Sequence, residues 1–210
     1  GGFGYIGSHS AALLAERKNR FVIYDNFTNC KKTIINRLSE LTGQKIDFID
    51  GDIRDTSNLI KTLKDKEIFS VIHLAALKSV EESIHNPVEY YDINVNGSIS
   101  LIKAMQIVGI TNLLFSSSAT IYGEPKYLPI DELHPLEVIN PYGETKLIVE
   151  NILKRIIIAN NKWSITSLRY FNPIGSHKSA LIGDDPLTLK PQNIMPSIIK
   201  VAKGIKDNFQ

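Results

Sequence analysis

The chain has 210 residues, enough for one sizeable domain with a buried core. Its 43% hydrophobic and 22% charged residues are ordinary for a globular protein, and a formal charge of +2 is too small for a nucleic-acid or membrane surface. No apolar run is long enough to span a bilayer, no secretory signal is visible, and one cysteine, Cys30, cannot form an internal disulfide, so a reducing, cytoplasmic setting is expected.

The first segment, GGFGYIGSH, spaces Gly1, Gly4 and Gly7 as G-x-x-G-x-x-G. Such a turn joins a strand to a helix and lets backbone N–H groups approach a pyrophosphate at the helix's positive end. An ordinary strand-to-helix loop reads the same way, so the turn alone does not decide. The helix is there in SAALLAERKN, with Ala11, Leu14 and Ala15 at i, i+3, i+4 spacing. No strand stands before Gly1, which leads to the expectation that the chain is a fragment.

Short apolar runs then alternate with helical periodicity, the pattern of a doubly wound parallel α/β sheet, Rossmann-like in kind. FVIYD (21–25) predicts a strand, KTIINRLSEL a helix, IDFIDGD a strand, TSNLIKTLKD a helix and SVIHLAA a buried strand. YYDINVNGSISLIKAMQIVG predicts one long helix closed by Gly109. NLLFSSS reads as a strand, PYGETKLIVENILKRIIIANN as a helix with Pro141 in its first turn, SITSLRYFN as a strand and IMPSIIKVAKG as a last helix. The polar stretch after Asn172 marks a change of organisation, giving a nucleotide-binding domain over 1–172 and the start of a smaller substrate lobe over 173–210.

Two groups of residues carry chemistry. Asp25 ends the strand that follows the glycine turn, about 20 residues on, where a dinucleotide fold sets an acid against the adenine ribose. An acid there disfavours a 2′-phosphate, so NAD is expected over NADP. Asp52, in GDIRD, ends the next strand and fits either the adenine or a loop cap. In PYGETK, Tyr142 and Lys146 are four apart and share one helix face. An ammonium ~4 Å from a phenol is worth ~4 kcal/mol at an effective dielectric of about 20, which would lower the phenol by roughly three units from ~10. That would make Tyr142 a proton shuttle at neutral pH. Ser118 and Thr120, at the end of FSSSAT, are placed to bond the oxygen whose proton Tyr142 moves.

GGFGYIGSH, YDN, GDIRD, VIHLAALKSVEES, YYDINVNG, FSSSATIYGEP, NPYGETK and LRYFNPIGSH follow one another in a way that resembles the UDP-glucose 4-epimerase (UDP-galactose 4-epimerase) family, within the extended short-chain dehydrogenase/reductases. The resemblance runs from Gly1 to about Gly204. It implies that Gly1, Gly4, Tyr5, Ile6 and Gly7 wrap the NAD pyrophosphate and that Asp25 and Asn26 hold the adenosine ribose. It implies Asn29 and Lys31 near the adenine end, Asp52 and Ile53 beside the adenine, and Lys78, Ser116 and Tyr170 on the cofactor. Ser118, Tyr142 and Lys146 match the catalytic trio, with Lys146 also on the nicotinamide ribose. Thr120, Phe171, Asn172, Asn193 and Ile194 match the side that binds the UDP-sugar. The implied reaction oxidises the sugar at C4, turns the 4-keto sugar over in the pocket and reduces it from the other face. A homodimer through the helices around Val95 and Leu147 is implied; a metal is not.

The chain departs from that pattern at Ala76, where glycine is usual, in SHKSALIGDDP, which lacks the usual proline and glycine, and in LTLKPQN, one residue longer. Three other readings compete, the first a catalytically incompetent fragment that keeps the motifs without a competent fold. A nucleotide-sugar 4,6-dehydratase wants an Asp-Glu pair after the strand-end Thr, whereas this chain has SATIYG, with Glu124 further on. A non-catalytic dinucleotide-binding module would be expected to lack Tyr142 or Lys146, and both are present.

Overall fold

The computed structural model describes residues 1–184, 194–205 and 207. They form two compact units: one of Gly1, Tyr24–Asn26 and Phe48–Phe171, the other of Gly2–Ile23, Phe27–Asp47 and the described residues from Asn172 onward.

The larger unit is built on parallel strands. β3 (Ser70–His73), β4 (Asn112–Ser118) and β5 (Ser164–Tyr170) lie in that order with β4 central. The β4–β5 register runs from Asn112 opposite Ser164 to Ser118 opposite Tyr170. β1 (Ile23–Asp25) and β2 (Phe48–Asp50) form a separate pair, in which Gly51 N–H donates to the Asp25 carbonyl at 3.0 Å. Gly1 N donates to the Tyr24 carbonyl at 2.7 Å, while a Cβ on Gly1 would run into the Ala75 backbone. Only glycine fits so close to another main chain.

Helices complete this unit. α3 (Thr56–Asp65) begins at Asp55, whose carboxylate caps the Asn58 N–H at 3.0 Å. It packs on α6 (Gly97–Val108), and their apolar faces join one core of Leu59, Leu63, Leu101, Met105, Leu113, Phe115, Val149, Leu153 and Trp163. α7 (Pro141–Ala159) has Asn140 as cap, accepting from Gly143 N–H at 2.8 Å, and Pro141 in the position where a missing N–H costs nothing. Its buried residues are Gly143, Thr145, Lys146, Val149, Glu150 and Leu153. Two of those six are charged, and they require partners.

Two local features differ from the sequence expectation. α4 (Val80–His85) was not foreseen, although Ser79 and Glu82 have capping-box spacing and Ser79 Oγ accepts from Glu82 N–H at 3.2 Å. The expected long helix begins as α5 (Pro87–Tyr90) and widens into a π turn over Tyr91–Asn96 before α6. Inside that turn the Asn94 amide turns to the backbone of Leu77, and Ser98 Oγ donates to the Asn94 carbonyl. Side-chain bonds of this kind offset the irregular ladder.

In the smaller unit α1 (Tyr5–Glu16) packs on α2 (Thr33–Thr42), and the Phe3 and Phe27 rings stack with centroids 5.1 Å apart. α1 buries the small residues Gly7, Ser8, Ala11 and Ala12, with Leu14 and Ala15 half-buried. α8 (Ile194–Ala202) follows the undescribed stretch. Among the described residues no helix is long and apolar enough to cross a membrane.

Leu153 is 2% exposed within the core shared by α7 and β4. Leu153→Ala is expected to lower unfolding free energy by roughly 2–5 kcal/mol in a urea titration. A change below about 1 kcal/mol would contradict its place in the core.

Candidate active site

The C-terminal end of β4 and the first two turns of α7 bring hydroxyls, a phenol and an ammonium together. Gly143 allows the approach: a Cβ there would stand 3.1 Å from the Thr120 carbonyl and 3.2 Å from its Oγ1. Thr120 sits in a 3-10 turn (Ala119–Tyr122) directly after β4. Its N–H and Oγ1 both bond Ser118 Oγ, at 3.2 and 2.9 Å. Ser118 in turn is close enough to the Tyr142 phenol to hold its titration down. With Thr120 bonded to its oxygen, the Ser118 hydroxyl proton is left to donate to Tyr142.

Lys146 is 4% exposed, one turn along α7 from Tyr142. Its Nζ donates to the Ser116 carbonyl at 2.8 Å and lies 5.1 Å from the Phe115 ring centroid and 5.9 Å from that of Tyr142. Burial pulls the Lys146 ammonium down to about 8, so it is mostly charged at pH 7. The expected large drop at Tyr142 is not found. Burial pushes the phenol up, and the Ser118 contact offsets only part of that. The physical reason is placement: the ammonium is tied to a strand carbonyl and faces the ring, and low dielectric penalises the phenolate as it does the ammonium.

Behind this group is a layer that the sequence reading missed. Asn94 is 2% exposed; its Oδ1 accepts from Leu77 N–H at 2.8 Å and its Nδ2 donates to the Leu77 carbonyl and to Thr145 Oγ1, both at 3.0 Å. It thus ties the residue before Lys78 to the residue before Lys146. His73 is 2.8 Å from Ser98 Oγ through Nε2. Because Ser98 gives its proton to the Asn94 carbonyl, Nε2 is the donor in the His73–Ser98 bond. Burial first, then the Lys146 charge, push His73 down to about 3. The signal for Asn94 is the motif YYDINVNG, within which the sequence reading assigns Asn94 itself no role.

The other predicted residues are distributed as follows. In the larger unit, Asp25 is buried at the end of β1, Asn26 is exposed and bonds Asp52, and Ile53 belongs to the core. Asp52 accepts from Arg54 Nε at 2.9 Å and Nη2 at 2.6 Å, and Arg54 Nη1 reaches Asp92 at 2.6 Å. Those bonds hold the Asp52 carboxyl below its ordinary value. Lys78 is exposed beside α4. Tyr170 is half-buried opposite Ser118, and the exposed Phe171 ring lies 6.4 Å from that of Tyr122. In the smaller unit, Gly4 caps α1 with no side-chain bond, and Gly7 is buried in that helix's first turn. Tyr5 Oη donates to the Gly175 carbonyl at 2.7 Å, and Ile6 is half-buried. Asn29, Lys31, Asn172 and Ile194 are exposed, and Asn193 lies outside the described residues.

Comparison with known proteins gives a family model, GDP-mannose 4,6 dehydratase, that matches residues 1–210. The UDP-glucose 4-epimerase of Yersinia enterocolitica is 47% identical over 205 residues, covering 97% of this chain and 61% of that protein. Two solved structures superpose closely. The UDP-glucose-4-epimerase of Stenotrophomonas maltophila, with bound NAD and formylated UDP-arabinopyranose, has a TM-score of 0.96 at 42% identity, over 100% of this chain and 62% of its own. The Bifidobacterium longum UDP-glucose 4-epimerase, in complex with NAD+ and UDP, has a TM-score of 0.94 at 39% identity, over 99% and 62%. The sequence resemblance and the Rossmann-like α/β class are therefore borne out. The chain spans about three-fifths of the length of these relatives, 61% for the Yersinia protein.

A neutral His73 makes acid stability titratable. Its folded value, about 3, lies below the ordinary 6.5, so the unfolded chain binds the extra proton between them. His73 therefore contributes full stability above 6.5, and loses it as pH falls toward about 3. The expected loss is on the order of 1.4 kcal/mol per pH unit. Urea midpoints measured from pH 7 to 5 should fall more steeply for the wild type than for His73→Asn; parallel slopes would contradict the assignment.

Proposed function

This chain belongs to the GDP-mannose 4,6 dehydratase family, and on that premise we propose that it interconverts UDP-glucose and UDP-galactose with NAD as resident cofactor. The observation that carries the reading is the hydroxyl chain Thr120–Ser118–Tyr142 beside the buried Lys146. It is a device for moving one proton on and off a sugar hydroxyl. The same residues favour epimerisation over dehydration. Elimination of water needs an acid after Thr120, and the next two residues, Ile121 and Tyr122, are buried, with Glu124 beyond them exposed.

The residues present fit NAD. α1 has twelve residues and opens at Gly4 without a side-chain cap, so its first N–H groups suit a pyrophosphate. Gly1, Gly4, Tyr5, Ile6 and Gly7 would hold that group, Asp25 and Asn26 the adenosine ribose, Asn29, Lys31, Asp52 and Ile53 the adenine end, and Lys78, Ser116, Lys146 and Tyr170 the nicotinamide side. When bound, NAD supplies the acceptor and donor of hydride at the sugar C4. The protein's own work is proton transfer and orientation. Tyr142, deprotonated, takes the proton of the sugar 4-hydroxyl, and Ser118 steadies the phenolate. Thr120 keeps the Ser118 proton directed at Tyr142. The Lys146 charge favours the phenolate, though burial limits its effect. When hydride returns, Tyr142 gives the proton back, so no net acid or base is consumed. Phe171, Asn172, Asn193 and Ile194 belong to the UDP-sugar side.

The division at residue 172, between a nucleotide-binding domain and a substrate lobe, and a cytoplasmic location are part of the same proposal. A homodimer through the helices around Val95 and Leu147 belongs to it as well.

The test is Tyr142→Phe in the purified protein. Turnover of UDP-galactose is expected to fall at least about a thousandfold, the scale of losing a general base and its activation. NAD released on denaturation should stay at the wild-type ratio to protein. A variant that turns over at a comparable rate would remove Tyr142 as the base.

A further inference from the structure

Glu150 is 2% exposed and falls one turn beyond Lys146, on the face of α7 that already carries Tyr142. No step of the proposed chemistry uses it, yet its carboxylate is where three elements meet. Ser117 Oγ of β4 donates to Oε1 at 2.6 Å. Arg169 of β5 clasps it through Nε to Oε1 at 3.0 Å and Nη2 to Oε2 at 2.8 Å. Ser117 and Arg169 are paired across the β4–β5 ladder, so one carboxylate fastens adjacent strands to the helix at a single level. Arg169 then extends the connection: its Nη1 donates to Tyr122 Oη at 3.0 Å, and its guanidinium lies 5.1 Å over that ring. Tyr122 closes the turn that holds Thr120. The remaining charge near Glu150 is Lys154 on the same helix, 4.0 Å away and largely exposed.

We propose that Glu150 is a positioning residue, whose bonds to Ser117 and Arg169 set α7 against β4 so that Tyr142 meets the Ser118 hydroxyl. The inference rests on the reading of Tyr142 as the proton carrier. Its physical basis is leverage. Ser117 is flanked by Ser116, whose carbonyl accepts from the Lys146 ammonium, and Ser118, which lowers the phenol. A slip of α7 along β4 would lengthen both contacts together. A planar fork held at both carboxylate oxygens resists that slip better than an apolar contact, which tolerates sliding.

The experiment compares wild type, Glu150→Gln and Arg169→Lys as purified proteins, for melting, bound NAD, kcat, KM and the pH dependence of kcat. The glutamine keeps shape and loses charge; the lysine keeps charge and loses the fork. Both variants are expected to keep NAD and to hold KM within about twofold, while kcat falls at least about tenfold. Weakening the Ser118 contact takes away an interaction that lowers the phenol, so the acid limb of kcat should move to higher pH. The ultraviolet titration of Tyr142, taken as the difference between each protein and its Tyr142→Phe counterpart, should move the same way. If Glu150→Gln does not fold, Arg169→Lys decides alone. Unchanged kcat with an unmoved Tyr142 titration would overturn the proposal, as would a loss of rate that follows only the loss of bound NAD. A wild-type protein with no epimerase activity would overturn the functional reading instead, and the Tyr142 titration would still decide the positioning role.

Discussion

The buried face of α7 is charged, and the rest of the structure is arranged around that fact. A helix packed against a sheet ordinarily presents aliphatic side chains, as Val149 and Leu153 do here. Lys146 and Glu150 interrupt that stripe while remaining 4% and 2% exposed. Each therefore needs hydrogen-bond partners at fixed positions, and β4 and β5 provide them: the Ser116 carbonyl, the Ser117 hydroxyl and the Arg169 guanidinium. Among the described residues no buried side-chain nitrogen or oxygen lacks a partner. Breaking one side of a buried ion pair costs about 3–5 kcal/mol because the other charge is left without a partner, and the directional geometry of these bonds sets where the helix stands on the sheet.

That constraint also explains the titration behaviour. One environment lowers Lys146, raises Tyr142 and keeps His73 neutral, with burial the first cause in each case. The site as it stands holds a protonated phenol beside an ammonium that is itself easily deprotonated. A positive charge brought next to Tyr142, such as an oxidised nicotinamide, would supply what Lys146 alone does not. The proton relay and the hydride carrier are thus complementary in the proposed reaction.

Much of this was legible in the sequence, for identifiable reasons. The β4 strand NLLFSSS and the Asn140–Pro141 start of α7 carry strong local signals, and the structure has both. Tyr142 and Lys146 were found because helical spacing is a fixed geometry. Glu150 and Arg169 were not singled out, because their pairing depends on the register between α7 and β5, which a linear reading does not contain. The sign of the Tyr142 shift was misread for the same reason: spacing fixes the separation of two residues along a helix, but not where a long lysine chain ends or how dry its surroundings are. The π turn at Tyr91–Asn96 was read as ordinary helix, since the Asn94 bond that accompanies it reaches Leu77, seventeen residues away in sequence.

The family's name describes a dehydratase, whereas the proposed reaction is an epimerisation, and the two chemistries part after C4 is oxidised. The most direct measurement follows a deuterium placed at C4 of UDP-galactose, using the purified protein with its own bound cofactor and no added nicotinamide. Oxidation and re-reduction within one site predict UDP-glucose that retains the deuterium at C4. Label lost to solvent, or a dehydrated 4-keto product in place of UDP-glucose, would contradict the account.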